Sequence, residues 1–66
     1  MSRIRWWRKR RGLTLQQVGD RTGLRLATIS YIERGKAAPT LTSLRKIAVA
    51  LRVPMAHLIK PERRTR

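Results

Sequence analysis

LQQVGDRTGLRLATISYIERG, residues 15–35, reads as two short helices folded across a glycine turn, the second offered outward to a partner. Val18, Gly19, Gly23, Leu24, Ile29 and Ile32 fall in an order that makes sense if Gly19 lets two helix backbones approach and Gly23 turns the corner. This is the grammar of a helix-turn-helix unit. The second of its helices spans residues 25–34 and turns Ile29 and Ile32 inward, with Leu24 packing just before it. The other face shows Arg25, Leu26, Ala27, Thr28, Ser30 and Tyr31.

Upstream, residues 2–11 carry six cations, Arg3, Arg5, Arg8, Lys9, Arg10 and Arg11, interrupted by Ile4, Trp6 and Trp7. The spacing of Ile4, Trp7 and Arg11 or Arg8 places them on one helical face, and Ser2 is suited to cap the first turn. The segment predicts a first helix with Ile4 and Trp7 turned inward. Trp6 lies beside that stripe, either partly exposed or packed at its edge, and is not expected to stack on a base. Gly12 follows in the position favoured for a left-handed cap. Thr14-Leu15-Gln16-Gln17 is a capping box, in which the Thr14 hydroxyl takes the amide of Gln17 while the Gln17 side chain reaches back to the Thr14 amide. A second helix starts there and runs to about Thr22.

Downstream, Gly35 ends the third helix and Pro39 keeps Lys36-Ala37-Ala38-Pro39 out of helix. Thr40 caps a fourth helix, in which Leu44, Ile47, Ala48 and Leu51 recur with an amphipathic period. Val53-Pro54 breaks it, and Pro54 suits the first turn of a further helix over residues 55–59. No stretch reads as strand. The expected organisation is one all-α domain over residues 1–59, followed by a basic C-terminal tail over residues 60–66, KPERRTR.

A chain of 66 residues buries only roughly 60% of the surface its unfolded form exposes, which leaves no room for a deep active-site cleft. Cysteine is absent, which excludes disulfides and thiolate metal sites. No apolar run approaches the roughly 18 residues of a membrane span, and the basic start MSRIRWWRKRRG is followed by no signal-peptide core. A cytoplasmic protein is expected. His57 stands alone with no nearby acid pair, so no catalytic residue, metal or cofactor is expected.

Seventeen Lys and Arg against three Asp and Glu give a net charge of +14. Solubility is achieved with far smaller charge and with both signs mixed. The excess therefore favours a nucleic-acid partner over a merely solvated face, although charge alone leaves a basic membrane-surface peptide open.

Gly12-Leu13-Thr14, Val18-Gly19, Thr22-Gly23-Leu24, Thr28-Ile29-Ser30, residues 32–36 (IERGK), Pro39, and Leu44 with Ile47-Ala48 and Leu51 agree in order and spacing. Through them residues 4–59 resemble the Cro and phage-repressor, or XRE-like, helix-turn-helix DNA-binding family. The resemblance implies a compact five-helix bundle of the lambda-repressor type. It also implies a sequence-specific regulator of transcription on double-stranded DNA, most simply a repressor. Residues 25–34 would be the recognition helix in the major groove, with the second helix across the backbone.

Carried over position by position, the base-reading candidates are Arg25, Leu26, Ala27, Ser30 and Tyr31. The phosphate-binding candidates are Gln16, Gln17, Thr28, Arg34, Lys36, Thr40, Thr42 and Ser43, with cations of residues 3–11 and 60–66 as reinforcement. Four positions depart from the family pattern. Leu26 and Ala27 stand where many relatives have polar amides and offer only apolar contact, for instance to thymine methyls. Arg25 occupies a usually small capping position, where it binds phosphate or reads guanine through its fork. Leu15 replaces a frequent phosphate-binding glutamine.

The resemblance further implies a buried ion pair between Arg8 and Glu33, one that fixes helix orientation more than it adds stability. Relatives usually bind as homodimers on two-fold sites, with half-sites about one helical turn apart. Leu51, Val53, Met55, Leu58 and Ile59 serve either that interface or the core. Two other functions remain open on sequence: an antitoxin-type module that also binds a partner protein, and a cationic nucleic-acid binder without sequence preference.

Overall fold

Each helix of this chain begins or ends on a residue whose side chain or backbone freedom satisfies groups the helix itself leaves unpaired. The computed structural model describes residues 3–59; the Ser2 cap and the basic tail of residues 60–66 lie outside them. The elements are α1 (Arg3–Arg10), α2 (Leu15–Thr22), α3 (Leu26–Glu33), α4 (Leu41–Leu51) and a 3-10 turn at Met55–His57. At the start of α2 the Gln17 amide donates to Thr14 Oγ1 at 3.0 Å and the Thr14 amide donates to Gln17 Oε1 at 2.9 Å. Thr40 caps α4 by accepting from the Ser43 amide at 3.0 Å.

The described residues hold four α-helices, not the expected five. In place of the fifth, Pro54 opens one 3-10 turn closed by two bonds, His57 N–H to Pro54 O and Leu58 N–H to Met55 O, each 2.9 Å. A nucleus of α-helix fixes several residues for one hydrogen bond, and so short a segment tied down by Leu58 gains more from the tighter turn. Helix α3 is also shorter than residues 25–34, because Arg25 is extended (φ −74°, ψ 148°) and precedes the helix rather than joining it.

Ile4 of α1, Val18 of α2, Ile29 and Ile32 of α3, and Leu44, Ile47, Ala48 and Leu51 of α4 meet in one core with Val53 and Leu58. Leu13, Leu15, Leu24, Trp7 and Met55 pack around it. Helix α4 lies chiefly on α2, and α1 closes the bundle against α3 and α4. Of the five residues read as core or interface, Leu51, Val53 and Leu58 are therefore core, Met55 is half-buried, and Ile59 is exposed.

All four helices end on a left-handed residue, which for α1, α2 and α3 is Gly12, Gly23 and Gly35. For α4 it is Arg52 (φ 60°, ψ 46°), at a cost of roughly 1 kcal/mol relative to glycine. Thr14→Ala removes the hydroxyl that holds the first turn of α2 and should lower stability by about 1 kcal/mol, read as a fall in the urea midpoint at unchanged m-value.

Candidate nucleic-acid interface

The corner between α2 and α3 is built from three residues. Gly23 (φ 77°) reverses the chain and its amide donates to the Gly19 carbonyl at 2.7 Å. Thr22 is buried, donates from Oγ1 to the Val18 carbonyl at 2.8 Å and accepts from the Leu24 amide at 3.1 Å, so its hydroxyl stitches the end of α2 to the segment entering α3. Gly19 lies where the two helices cross: a Cβ there would sit 3.0 Å from Leu26 Cδ2 and 3.3 Å from the Leu24 carbonyl oxygen. Sequence reading gives both glycines their roles but names Thr22 only within the family pattern, without the part its hydroxyl plays at the corner.

Helix α3 buries Ile29, Ile32 and Glu33 and exposes Ala27, Thr28 and Tyr31, with Arg25 and Arg34 exposed at its two ends. Tyr31 is 52% exposed. Ser30 is half-buried, and Leu26, at 41%, keeps part of its side chain over Gly19. Of the base-reading candidates, Ala27 and Tyr31 thus lie on one outward face, Leu26 and Ser30 flank it, and Arg25 stands at the entry. The Arg25 side chain makes no capping bond, which leaves its guanidinium available to an outside partner.

The opposite end of α3 is pinned to α1. Arg8 Nε donates to Glu33 Oε2 at 2.7 Å and Arg8 Nη2 to Glu33 Oε1 at 3.1 Å, a bidentate pair, while Arg8 Nη1 reaches the Leu13 carbonyl at 2.9 Å. The side chains are 12% and 4% exposed.

The remaining polar candidates are already partly engaged. Gln17 commits its Oε1 to the capping box, so its side-chain NH2 is the half left over. Gln16 Nε2 donates one of its two hydrogens to Asp20 Oδ1 at 3.0 Å, which leaves the other for an anion. Thr40 Oγ1 donates to Ser43 Oγ at 3.0 Å, which leaves the Ser43 hydroxyl hydrogen free to point elsewhere. Thr42, Arg34 and Lys36 are exposed.

The expected cationic arm of residues 3–11 is not simply a phosphate-seeking surface. Arg3 Nε donates to the His57 carbonyl at 2.9 Å, Arg8 to Glu33 and Leu13, and Arg11 to the carbonyls of Leu51 and Arg52. A chain with few acids turns its guanidinia toward the unpaired carbonyls at helix ends. Trp7 is half-buried, stacked on His57 at 5.8 Å and 11°, and covered by Arg11 at 4.9 Å. Trp6, 44% exposed, meets the edge of Trp7 at 5.0 Å beneath Arg10. His57 is exposed at the end of the 3-10 turn and lays one ring face on Trp7 of α1.

A buried corner, an outward helix face and a second helix crossing behind it define a helix-turn-helix protein. The profile of a helix-turn-helix family matches residues 4–58, and the chain belongs to that family, in its Cro and phage-repressor branch. It is 39% identical over 54 residues to the HTH-type transcriptional regulator SutR of Escherichia coli, an alignment covering 82% of this chain and 30% of SutR. It is 37% identical over 54 residues to the uncharacterized HTH-type transcriptional regulator y4dJ of Sinorhizobium fredii, covering 82% of this chain and 70% of y4dJ. RghRB of Bacillus subtilis, also an uncharacterized HTH-type transcriptional regulator, is 39% identical over 57 residues, 85% of this chain and 41% of that protein. The chain thus spans about a third of SutR and well under half of RghRB. Among solved structures, the restriction-modification controller protein C.AhdI of Aeromonas hydrophila superposes with a TM-score of 0.83 at 28% identity, over 86% of both chains. No helix among the described residues is long and apolar enough to cross a membrane.

Removing one partner of the Arg8–Glu33 pair strands the other. Glu33→Ala should cost about 3 kcal/mol or more in urea unfolding. The double replacement Arg8→Met with Glu33→Leu should recover most of that loss.

Proposed function

We propose that the chain is a transcriptional regulator that binds double-stranded DNA sequence-specifically, most simply a repressor that occludes a promoter, with α3 and its flanking arginines in the major groove. The observation that carries this reading is the outward face of α3, Ala27 and Tyr31, with Arg34 exposed just beyond it, set opposite Ile29, Ile32 and Glu33 on a helix held at both ends. A face so exposed on so rigid a helix, in a chain of net charge +14, suits a polyanion whose groove admits an α-helix. The relatives are described as transcriptional regulators and a restriction-modification controller, which supports the same reading. Its place of action is the cytoplasm, at the nucleoid.

Arg25, Leu26, Ala27, Ser30 and Tyr31 are proposed to face base edges, with Leu26 limited to the apolar contact its packing over Gly19 leaves exposed. Gln16, Gln17, Thr28, Arg34, Lys36, Thr40, Thr42 and Ser43 are proposed to hold phosphates from the ends of α2, α3 and α4. Residues 1–59 form the reading unit, and the basic residues 60–66 reinforce backbone contact. A homodimer on a two-fold site would double the few base pairs one protomer can reach. Its interface is proposed to use Ile59 and Val49, 52% and 73% exposed, since Leu51, Val53 and Leu58 are already core.

Selection of binding sites from random DNA, with affinities then measured against salt, tests the reading. Neutralising about 4 to 8 phosphates per protomer gives a log–log salt slope of roughly −4 to −7, and a slope shallower than about −2 overturns it. Arg25→Ala and Tyr31→Ala should change which sequence is preferred, by about 1 to 3 kcal/mol at the affected base pairs. Lys36→Ala should weaken every sequence alike, and uniform losses from all three would remove α3 as the reader. Light scattering showing one protomer both free and on DNA would remove the dimer.

A further inference from the structure

Helix α4 ends with the same hydrogen bonds as α1 and α3, which close on glycine, but it does so on an arginine. The Arg52 amide donates to the Val49 carbonyl and the Val53 amide to the Ala48 carbonyl, each at 3.1 Å. In α1 and α3 the corresponding left-handed residues are Gly12 and Gly35, and Arg52 is the one non-glycine residue with positive φ among the described residues. A Cβ in that conformation crowds the neighbouring carbonyl. Glycine would serve the backbone better, so whatever Arg52 adds lies in its side chain.

That side chain joins Arg11 and Arg21 around a cavity of about 290 Å³, whose other lining residues are Leu13, Ala50 and Leu51. Two of the guanidinia are fixed in place. Arg11 Nε and Nη2 donate to the Leu51 and Arg52 carbonyls at 2.9 and 3.2 Å, and Arg21 Nη1 donates to the Ala50 carbonyl at 3.3 Å. Each guanidinium has five N–H groups, so both keep donors beyond those bonds. The Arg52 side chain makes no hydrogen bond within the described residues. No acidic residue lines the cavity; Glu33 is held by Arg8, and Asp20 accepts from Gln16. The carbonyls at the end of α4 carry only partial negative charge, against three full positive charges.

We propose that Arg11, Arg21 and Arg52 form a binding site for a small phosphate-bearing anion. Planar forks match phosphate oxygens bidentately, and pre-positioning two of the three lowers the ordering cost of binding. The cavity exceeds a bare phosphate and has Leu13 and Leu51 in its lining, which suits a compact organic body attached to the anion. The site is distinct from the proposed DNA contacts. Thr40 and Arg52 cap opposite ends of α4, separated by a rise of about 18 Å.

The test titrates the full chain with inorganic phosphate, with pyrophosphate and with a nucleoside monophosphate, against chloride at matched ionic strength, observing backbone amides and arginine Nε–H groups by NMR. Saturable shifts should centre on Leu13, Ala50, Leu51 and the Nε–H of Arg11, Arg21 and Arg52, with Tyr31 and Arg34 moving far less. Tighter binding of the nucleoside monophosphate would assign the site to an organic phosphate, and equal affinity to the free ion; both support it. Arg52→Gly should keep or raise the Tm while weakening the phosphates about tenfold, and Arg52→Lys, which keeps charge without the fork, should fall between. Unchanged affinity in a folded Arg52→Gly chain overturns the proposal. Shifts of equal size at every arginine, or the same response to chloride, also overturn it.

Discussion

Glu33 is 7% exposed at the last turn of α3, and a charge placed there is tolerated only if it is matched. Arg8 matches it with two bonds and uses a third on the Leu13 carbonyl, so one planar group joins α1, the connection after α1, and α3. Such a pair adds little net stability compared with apolar residues of similar volume. Its effect is to exclude other rotations of α3, because turning the helix by one residue, about 100°, would point the carboxylate away from its partner. Gly19 governs the other end of α3, where Leu24 and Leu26 approach within contact distance of α2. Two fixed points define the direction of a helix, and every side chain on the outer face of α3 inherits that direction.

The parts of this architecture that could be read directly from sequence are those whose causes are local. The Thr14–Gln17 box, the cap at Thr40 and the turn glycines each satisfy a helix end within a few residues, so their signatures are contiguous. The periodic core positions of α4 were legible for the same reason. What escaped reading depends on distant groups. Arg3, Arg11 and Arg21 look alike in a basic sequence, and only the folded chain brings them to the carbonyls of His57, Leu51 and Ala50. The expected fifth helix failed similarly, since burial of Val53 and Leu58 on either side of the Met55–His57 turn overrides the helix-starting character of Pro54. The outward candidates on α3 came from family resemblance together with a helical period, which identifies a face but not how far Leu26 leans back over Gly19.

The net charge of +14 is not all in the form of freely disposed side chains. Arg8 is neutralised by a carboxylate, and Arg3, Arg11 and Arg21 are turned onto backbone oxygens. These contacts do work inside the protein that acids or glycines do in other chains. Arg25, Arg34 and Lys36, by contrast, sit exposed around α3.

The capping box at the start of α2 carries a chemical asymmetry. Glutamate closes such a box as well as glutamine does, because only an acceptor oxygen is required by the Thr14 amide. With glutamate the second oxygen would face outward and repel an approaching anion. With Gln17 that oxygen is replaced by an NH2 group, and the amide cannot flip without setting its hydrogens against the Thr14 N–H. Folding of the first turn therefore determines which end of the side chain meets the solvent. On the proposed reading, the act of starting the helix also aims a hydrogen-bond donor at the phosphate backbone.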